Sequence, residues 1–353
     1  MGMKSDREVI EVRSDERLDT ARLEPWLREH LPDVNGPLKL AQFGGGHANL
    51  TYLISFGKNE YVLRRPPLGP VAPSSHDMIR EHRVLKDLWR VFPLAPHSYV
   101  VSEDDTLIGA PFHVMERRHG FAIRTSLPEG YDWTAELNAR VGAMAIDALA
   151  GLHLVDPVAA GLGELGRPEG FAKRQLTGWS ARWEAAKHEQ TSAMQDIIAW
   201  LVSEIPSSDR VSLLHNDFKL DNMLVATDDP GRAVAVLDWD MCTRGDPLMD
   251  LGYTLAFWGE AGDDQSWITA ASMPTWNTGF PTRAQVIERY ALATGIDCSH
   301  IHWYHVFGVF KIAVILQQIF TRYLRGQTQD ERFAVFGDRV SALIGKGKIL
   351  AKL

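Results

Sequence analysis

The feature that most limits what this sequence can fold into is a change of pattern about one third of the way along, where short strand-like segments give way to long helical ones. Before the change, residues 38–43, 51–56 and 61–64 read as strands, separated by glycines and by a Gly-Lys-Asn turn. A leader helix over 18–31, closed by Pro32, precedes them. Pro66, Pro67, Gly69, Pro70 and Pro73 then make a loop, and Ile79, Val84, Leu85, Leu88 and Trp89 recur at helical spacing within 77–90. Two further strands bracket the acidic turn Glu103-Asp104-Asp105, the second ending at Met115. Beyond Gly120 a long helix is expected over 133–154, and helices dominate from there. The expected architecture is α+β with two lobes: residues 1–117, a small antiparallel sheet with one inserted helix, and residues 118–353, larger and mostly helical.

The exception in the helical part is the strand-and-loop region 212–240, where polar residues crowd between apolar runs. Leu213-Leu214-His215-Asn216-Asp217-Phe218-Lys219-Leu220-Asp221-Asn222-Met223 places a carboxylate, a lysine two residues on and an asparagine five residues on. Phosphoryl transfer needs such a set. A carboxylate orients an attacking hydroxyl and accepts its proton, a cation steadies the moving phosphoryl group, and an amide oxygen ligates magnesium. Asp217, Lys219 and Asn222 fill these roles in that order. Val234-Ala235-Val236-Leu237-Asp238-Trp239-Asp240 follows, an apolar strand ending in a carboxylate. Magnesium is a hard cation that takes one or two carboxylates with phosphate and water oxygens, so Asp238 is the first candidate ligand and Asp240 the second. An isolated Asp and Asn in a turn often bond only local backbone; the combination of loop and strand end is what carries the chemical reading.

With these residues in view, the chain resembles the aminoglycoside phosphotransferase family of the protein-kinase-like fold, whose mark is an H-x-D-x-x-x-x-N loop followed by a strand ending in D-x-D or D-x-E. The resemblance covers nearly the whole chain. It extends to the kinase-like proteins found alone in bacteria and fused to acyl-CoA dehydrogenases elsewhere, through Phe218-Lys219-Leu220-Asp221-Asn222-Met223-Leu224, Leu237-Asp238-Trp239-Asp240, the Gly245 to Gly252 segment, Phe310-Lys311-Ile312-Ala313-Val314-Ile315-Leu316-Gln317-Gln318 and Arg322-Tyr323-Leu324-Arg325-Gly326-Gln327. It implies that Asp217 is the catalytic base, that Asn222 and Asp238 hold magnesium, and that His215 supports the loop from inside, with His215 as general base the alternative. Asp246 and Asp250 are expected to brace the metal-site segment or cap the next helix.

The resemblance also marks a nucleotide end, with ATP and Mg2+ as cofactors. Gly44, Gly45, Gly46, His47 and Asn49 lie between two expected strands, where glycines allow backbone N–H groups to approach phosphates. The loop is neither a Walker A sequence nor G-x-G-x-x-G, because Asn49 stands at the third glycine position. Arg64 occupies the strand position where kinases carry a lysine; it keeps the charge but offers a planar fork. Glu81, on the inserted helix, is its expected partner, and the backbone at Glu116 matches the hinge that bonds adenine.

The acceptor is less constrained, since site chemistry and not fold sets it. A hydroxyl of a small molecule is expected, a hydroxy acid or hydroxyacyl thioester by the dehydrogenase-associated resemblance, with an aminoglycoside, choline or sugar as the alternative and a nucleotide-binding pseudokinase as another. Glu260, Asp263 and Asp264 form the one compact acidic cluster placed to meet a polycation, and also read as a solvated loop. Trp258, Trp267, Trp276, Trp303, Tyr304 and Phe307 either line an apolar pocket or form core. With 37 Lys and Arg against 45 Asp and Glu, there is no basic field for nucleic acid or anionic lipid. His305, Lys311, Gln317 and Gln318 interrupt the apolar stretch 303–319, which reads as a core helix and not a membrane span. Two cysteines and a charged start without an apolar signal core fit a cytoplasmic protein.

Overall fold

The computed structural model describes residues 9–44, 49–69, 76–187, 192–208, 210–270, 273–328 and 330–353. The chain divides into two compact units, the first made of Met1–His119, Ala160–Leu162 and Ala235–Cys242, the second of Gly120–Ala159, Gly163–Val234 and Thr243–Leu353. Residues 235–242, which the sequence division puts in the later lobe, thus group with the first unit. The reason is local bonding: Val236 N–H donates to Leu94 O (2.8 Å), and the Trp239 ring meets Phe92 edge-on at 5.9 Å.

The first unit is built on an antiparallel sheet of β1 (Val9–Ile10), β2 (Leu38–Phe43), β3 (Leu50–Phe56), β4 (Asn59–Arg65), β5 (Ser98–Ser102) and β6 (Phe112–Glu116), in the order β1-β2-β3-β4-β6-β5. It has one strand more than the sequence pattern suggests; β1 is two residues long, too short for a period to register. Alternation sends Tyr52, Ile54, Phe56 and Leu63 to one face, where Leu23 and Leu27 of α1 (Thr20–His30) complete a core. Val62 and Arg64 therefore face the other way. On that side α2 (Met78–Leu88) packs against β5 and β6, burying Val84, Leu85, Leu88 and also Glu81. Asp77 caps α2 by accepting the Arg80 N–H (2.9 Å).

The second unit contains α3 (Ala135–His153), α4 (Phe171–Ala186), α5 (Ser192–Ser203), α6 (Leu248–Phe257), α7 (Gln265–Ala270), α8 (Arg283–Thr294), α9 (Ile301–Leu324) and α10 (Phe336–Ala351). A two-stranded ribbon runs among them: β7 (Ser212–Leu214) pairs antiparallel with β10 (Thr243–Gly245), Leu213 opposite Arg244. β8 (Met223–Val225) follows a 3-10 turn at Leu220–Asn222, and β9 (Ala233–Val236) leads the chain from the second unit back into the first. The α9 helix is long and apolar enough to cross a membrane, but 72% of its most apolar window is buried against the rest of the protein. Its crossing with α6 is close because both helices present glycine: a Cβ on Gly252 would lie 2.4 Å from Tyr304 backbone atoms, and one on Gly308 would lie 2.6 Å from Gly252 O.

Candidate active site

In the second unit the polar loop leaves β7 through two fully or largely enclosed residues. His215 is fully buried, and Asn216 takes left-handed backbone with φ 66°. Asp250, in the first turn of α6, meets both: its Oδ2 accepts the His215 N–H (2.6 Å) and its Oδ1 the Asn216 N–H (2.8 Å). Burial alone would raise the Asp250 carboxyl, but the hydrogen bond from His153 and the neighbouring imidazoles outweigh it and hold it below its usual value. Lys311 of α9 donates to the Asn216 carbonyl (2.8 Å). The Asp217 N–H points back to His215 Nδ1 (3.3 Å), so that imidazole does support the loop from inside.

These contacts present Asp217 with two partners for its side chain. Asn222 Nδ2 donates to Asp217 Oδ2 (2.7 Å) and to its backbone oxygen (2.8 Å), Lys219 Nζ lies 3.1 Å from Oδ1, and the Tyr253 phenol is near enough to feel the carboxylate's charge. Burial, then the Asp217 charge, drive the Tyr253 phenol far above its usual range, so it stays neutral. Because the Asn222 nitrogen is committed to Asp217, its amide oxygen is the atom left for a hard cation, which fits magnesium. Thr254 Oγ1 donates to Phe218 O (3.0 Å) and fixes the far side of the loop.

In the first unit Arg64 is 7% exposed and bridges two carboxylates: Nη1 bonds Glu81 Oε1 and Nη2 bonds Asp238 Oδ1 (2.8 Å). Glu81, fully buried, also receives the Trp239 N–H on Oε1 (3.2 Å) and faces His113 Nε2 through Oε2 (3.1 Å). Burial opposes its charge, but Arg64 and then His113 overcome that and hold the carboxyl at about 2. Asp238 sits at φ 68°, a strained setting for a side-chain-bearing residue that is tolerated where a site needs it. Its side chain is 31% exposed, and one oxygen is engaged by Arg64. Those oxygen donors suit magnesium as well. Asp240 is pushed up to about 7, by burial first and then by Asp238 and Glu81.

The remaining expected positions are distributed as follows. Gly44 directly follows β2, Asn49 precedes β3 and its Oδ1 meets His76 Nδ1 (2.7 Å), while Gly45, Gly46 and His47 lie outside the described residues. Glu116 ends β6, but its N–H already donates to His97 O (2.8 Å) just before β5, so that donor is used. Asp246 accepts the Leu248 N–H (3.0 Å) at the start of α6 and bonds the Tyr304 hydroxyl. Glu260 and Asp263 are not a solvated acidic loop: Arg283 pairs with both and Lys346 lies 3.1 Å from Asp263. Trp258, Trp267, Trp303, Tyr304 and Phe307 are core. Sequence reasoning assigned no role to Lys311, Tyr253 or His113; each is a polar residue among apolar neighbours, and such a residue carries no mark of what it meets.

Comparison with known proteins follows the same lines. A profile of the phosphotransferase enzyme family APH matches residues 39–283. Acyl-CoA dehydrogenase family member 11 of Rattus norvegicus is 33% identical over 362 residues, covering 100% of this chain and 46% of that protein. Family member 10 of Mus musculus is 31% identical over 318 residues, covering 90% and 30% respectively. The chain thus spans about half, or less, of the length of these relatives. Among solved structures, a Ralstonia eutropha protein assigned to the aminoglycoside phosphotransferases superposes with a TM-score of 0.81 at 30% identity, covering 95% of this chain and 99% of its own. The aminoglycoside phosphotransferase APH(4)-Ia, in ternary complex with AMP-PNP and hygromycin B, gives 0.59 at 18% identity with 94% and 98% covered, a likeness of fold.

Proposed function

The chain belongs to the APH family of phosphotransferase enzymes, and from that premise we propose that it moves the γ-phosphoryl group of ATP, with magnesium, to a hydroxyl of a hydroxy acid or hydroxyacyl thioester. The observation that carries the proposal is the Asp217 carboxylate, held by the Asn222 amide on one oxygen and facing Lys219 across 3.1 Å on the other. In this reading Asp217 orients the acceptor hydroxyl and takes its proton as the O–P bond forms. Lys219 offsets charge on the phosphoryl oxygens. Arg64 is the cation for the nucleotide phosphates, its fork oriented by Glu81. Asn222 Oδ1 in the second unit and the Asp238 carboxylate in the first are each read as a magnesium donor, and the ion would neutralise phosphate charge when bound.

The acceptor class draws on two observations. The dehydrogenase-family relatives support an acyl substrate bearing a hydroxyl. The acids that would attract a polycationic aminoglycoside, Glu260 and Asp263, are instead matched by Arg283 and Lys346.

The test is transfer of γ-labelled phosphate from ATP and magnesium to a panel of hydroxyacyl thioesters, hydroxy acids, aminoglycosides, choline and sugars, with Asp217→Asn as control. Labelled hydroxyacyl or hydroxy-acid product that disappears in Asp217→Asn is the expected result. Labelling of aminoglycosides alone would overturn the acceptor class, and undiminished turnover by Asp217→Asn would overturn the base.

A further inference from the structure

Lys311 lies mid-way along α9 between apolar neighbours and is 6% exposed. Enclosing an ammonium is unfavourable unless its charge and hydrogens find partners, so what surrounds this one explains why it is there. Nζ donates to Asn216 O (2.8 Å), sits 3.9 Å from the centre of the Tyr253 ring and 5.6 Å from that of Trp179. The carbonyl it holds belongs to the peptide whose N–H is that of Asp217, and that N–H is aimed at His215 Nδ1 (3.3 Å). The preceding peptide donates its N–H to Asp250 (2.8 Å). Asn216 is thereby clamped on both sides in a left-handed conformation that side-chain-bearing residues seldom adopt and Asn tolerates better than most. The Tyr253 ring covers the ammonium, and its phenol feels the Asp217 charge.

We infer that Lys311 is a positioning residue for phosphoryl transfer: it holds the 216–217 peptide in its left-handed turn and so aims the Asp217 carboxylate that receives the acceptor's proton. The inference rests on the reading of Asp217 as base. Charge around the ammonium comes from the loop, from α6 and from α4: burial pulls its pKa down to about 8, Asp217 and Asp250 favour the charged form, and Lys219 and Arg182 oppose it. It remains an ammonium at neutral pH.

A lysine kept only for packing would behave differently from one that aims a base. Lys311→Met preserves length and most of the volume while removing the donor and the charge; Lys311→Arg keeps both. In the full chain, Lys311→Met is expected to lower kcat about tenfold or more with KM for ATP changed by less than about twofold, and Lys311→Arg to recover part of the loss. Hydrogen exchange of the peptide spanning 213–219 is expected to quicken in Lys311→Met and to stay near wild type in Lys311→Arg. Unchanged exchange in Lys311→Met overturns the inference, as does faster exchange with undiminished kcat. Should the wild-type protein transfer phosphate to no acceptor, the assignment of the reaction fails separately, and the exchange comparison still decides whether Lys311 holds the loop.

Discussion

At the scale of single residues, the first unit's polar centre is an arginine bound by two carboxylates, one of which, Glu81, is wholly enclosed. A carboxylate held at about 2, against an ordinary 4.5, contributes stability that is complete above the ordinary value and is lost as pH falls from about 4.5 towards 2. That contribution is on the order of 3 kcal/mol. Glu81→Gln leaves Arg64 with Asp238 alone and should destabilise the protein by about 3–5 kcal/mol at neutral pH. Denaturant midpoints for wild type and variant at pH 7 and pH 3 test this: the gap between them should narrow in acid. A gap that stays constant would mean Glu81 carries no charge in the folded protein. The same centre shows how far a sequence position speaks for itself. Arg64 was legible as the cation of the third strand and Glu81 as its helix partner, but the second bond of Arg64, to Asp238, joins residues 174 apart in the chain and has no local signature.

At the scale of elements, α6 and α9 hold the second unit's loop from either side, Asp250 from one and Lys311 from the other. Their reach depends on how closely the helices cross, and the crossing depends on Gly252 and Gly308. Gly308→Ala would put a methyl 2.6 Å from Gly252 O, so α9 must retreat, and Lys311 lies three residues further along the same helix. Expected results are a loss of about 1–3 kcal/mol in chemical denaturation and a lower kcat. Gly345→Ala in α10 is the control: its Cβ would meet open space, and replacing a helical glycine should add about 0.5–1 kcal/mol of stability. Equal effects of the two substitutions would show that the crossing is not set by contact. Helix α9 itself was readable as a core helix from its interruptions, whereas the function of one interruption, Lys311, depended on the facing surface of α6.

At the scale of the whole molecule, the chain carries a formal charge of −8, and in the proposed reading Arg64 and Lys219 are each a cation for phosphate while Asn222 and Asp238 each offer an oxygen to magnesium. Ligands that bind only the folded state raise its melting temperature in proportion to ln(1 + [L]/Kd). ATP with magnesium at about 100 times its Kd should stabilise the protein by about 2.7 kcal/mol, and omission of magnesium or the change Asp238→Ala should remove most of that gain. Thermal melts across a nucleotide and magnesium titration measure it; an equal shift by ATP without magnesium would remove Asp238 from the metal site. The sequence by itself determined the class of the fold and the identity and spacing of Asp217, Lys219 and Asn222, because these residues lie only five positions apart from first to last, where neighbours in the chain are neighbours in space. It also determined which strand faces are apolar, because a period of two is visible in any stretch of strand. Only the tertiary structure decided that residues 235–242 join the first unit, that Asp250 and Lys311 grip Asn216 from 34 and 95 positions away, and that Glu260 and Asp263 are neutralised. Those outcomes depend on where helices cross and which side chains their crossings bring face to face, and an apolar pattern says that a helix is buried without saying against what.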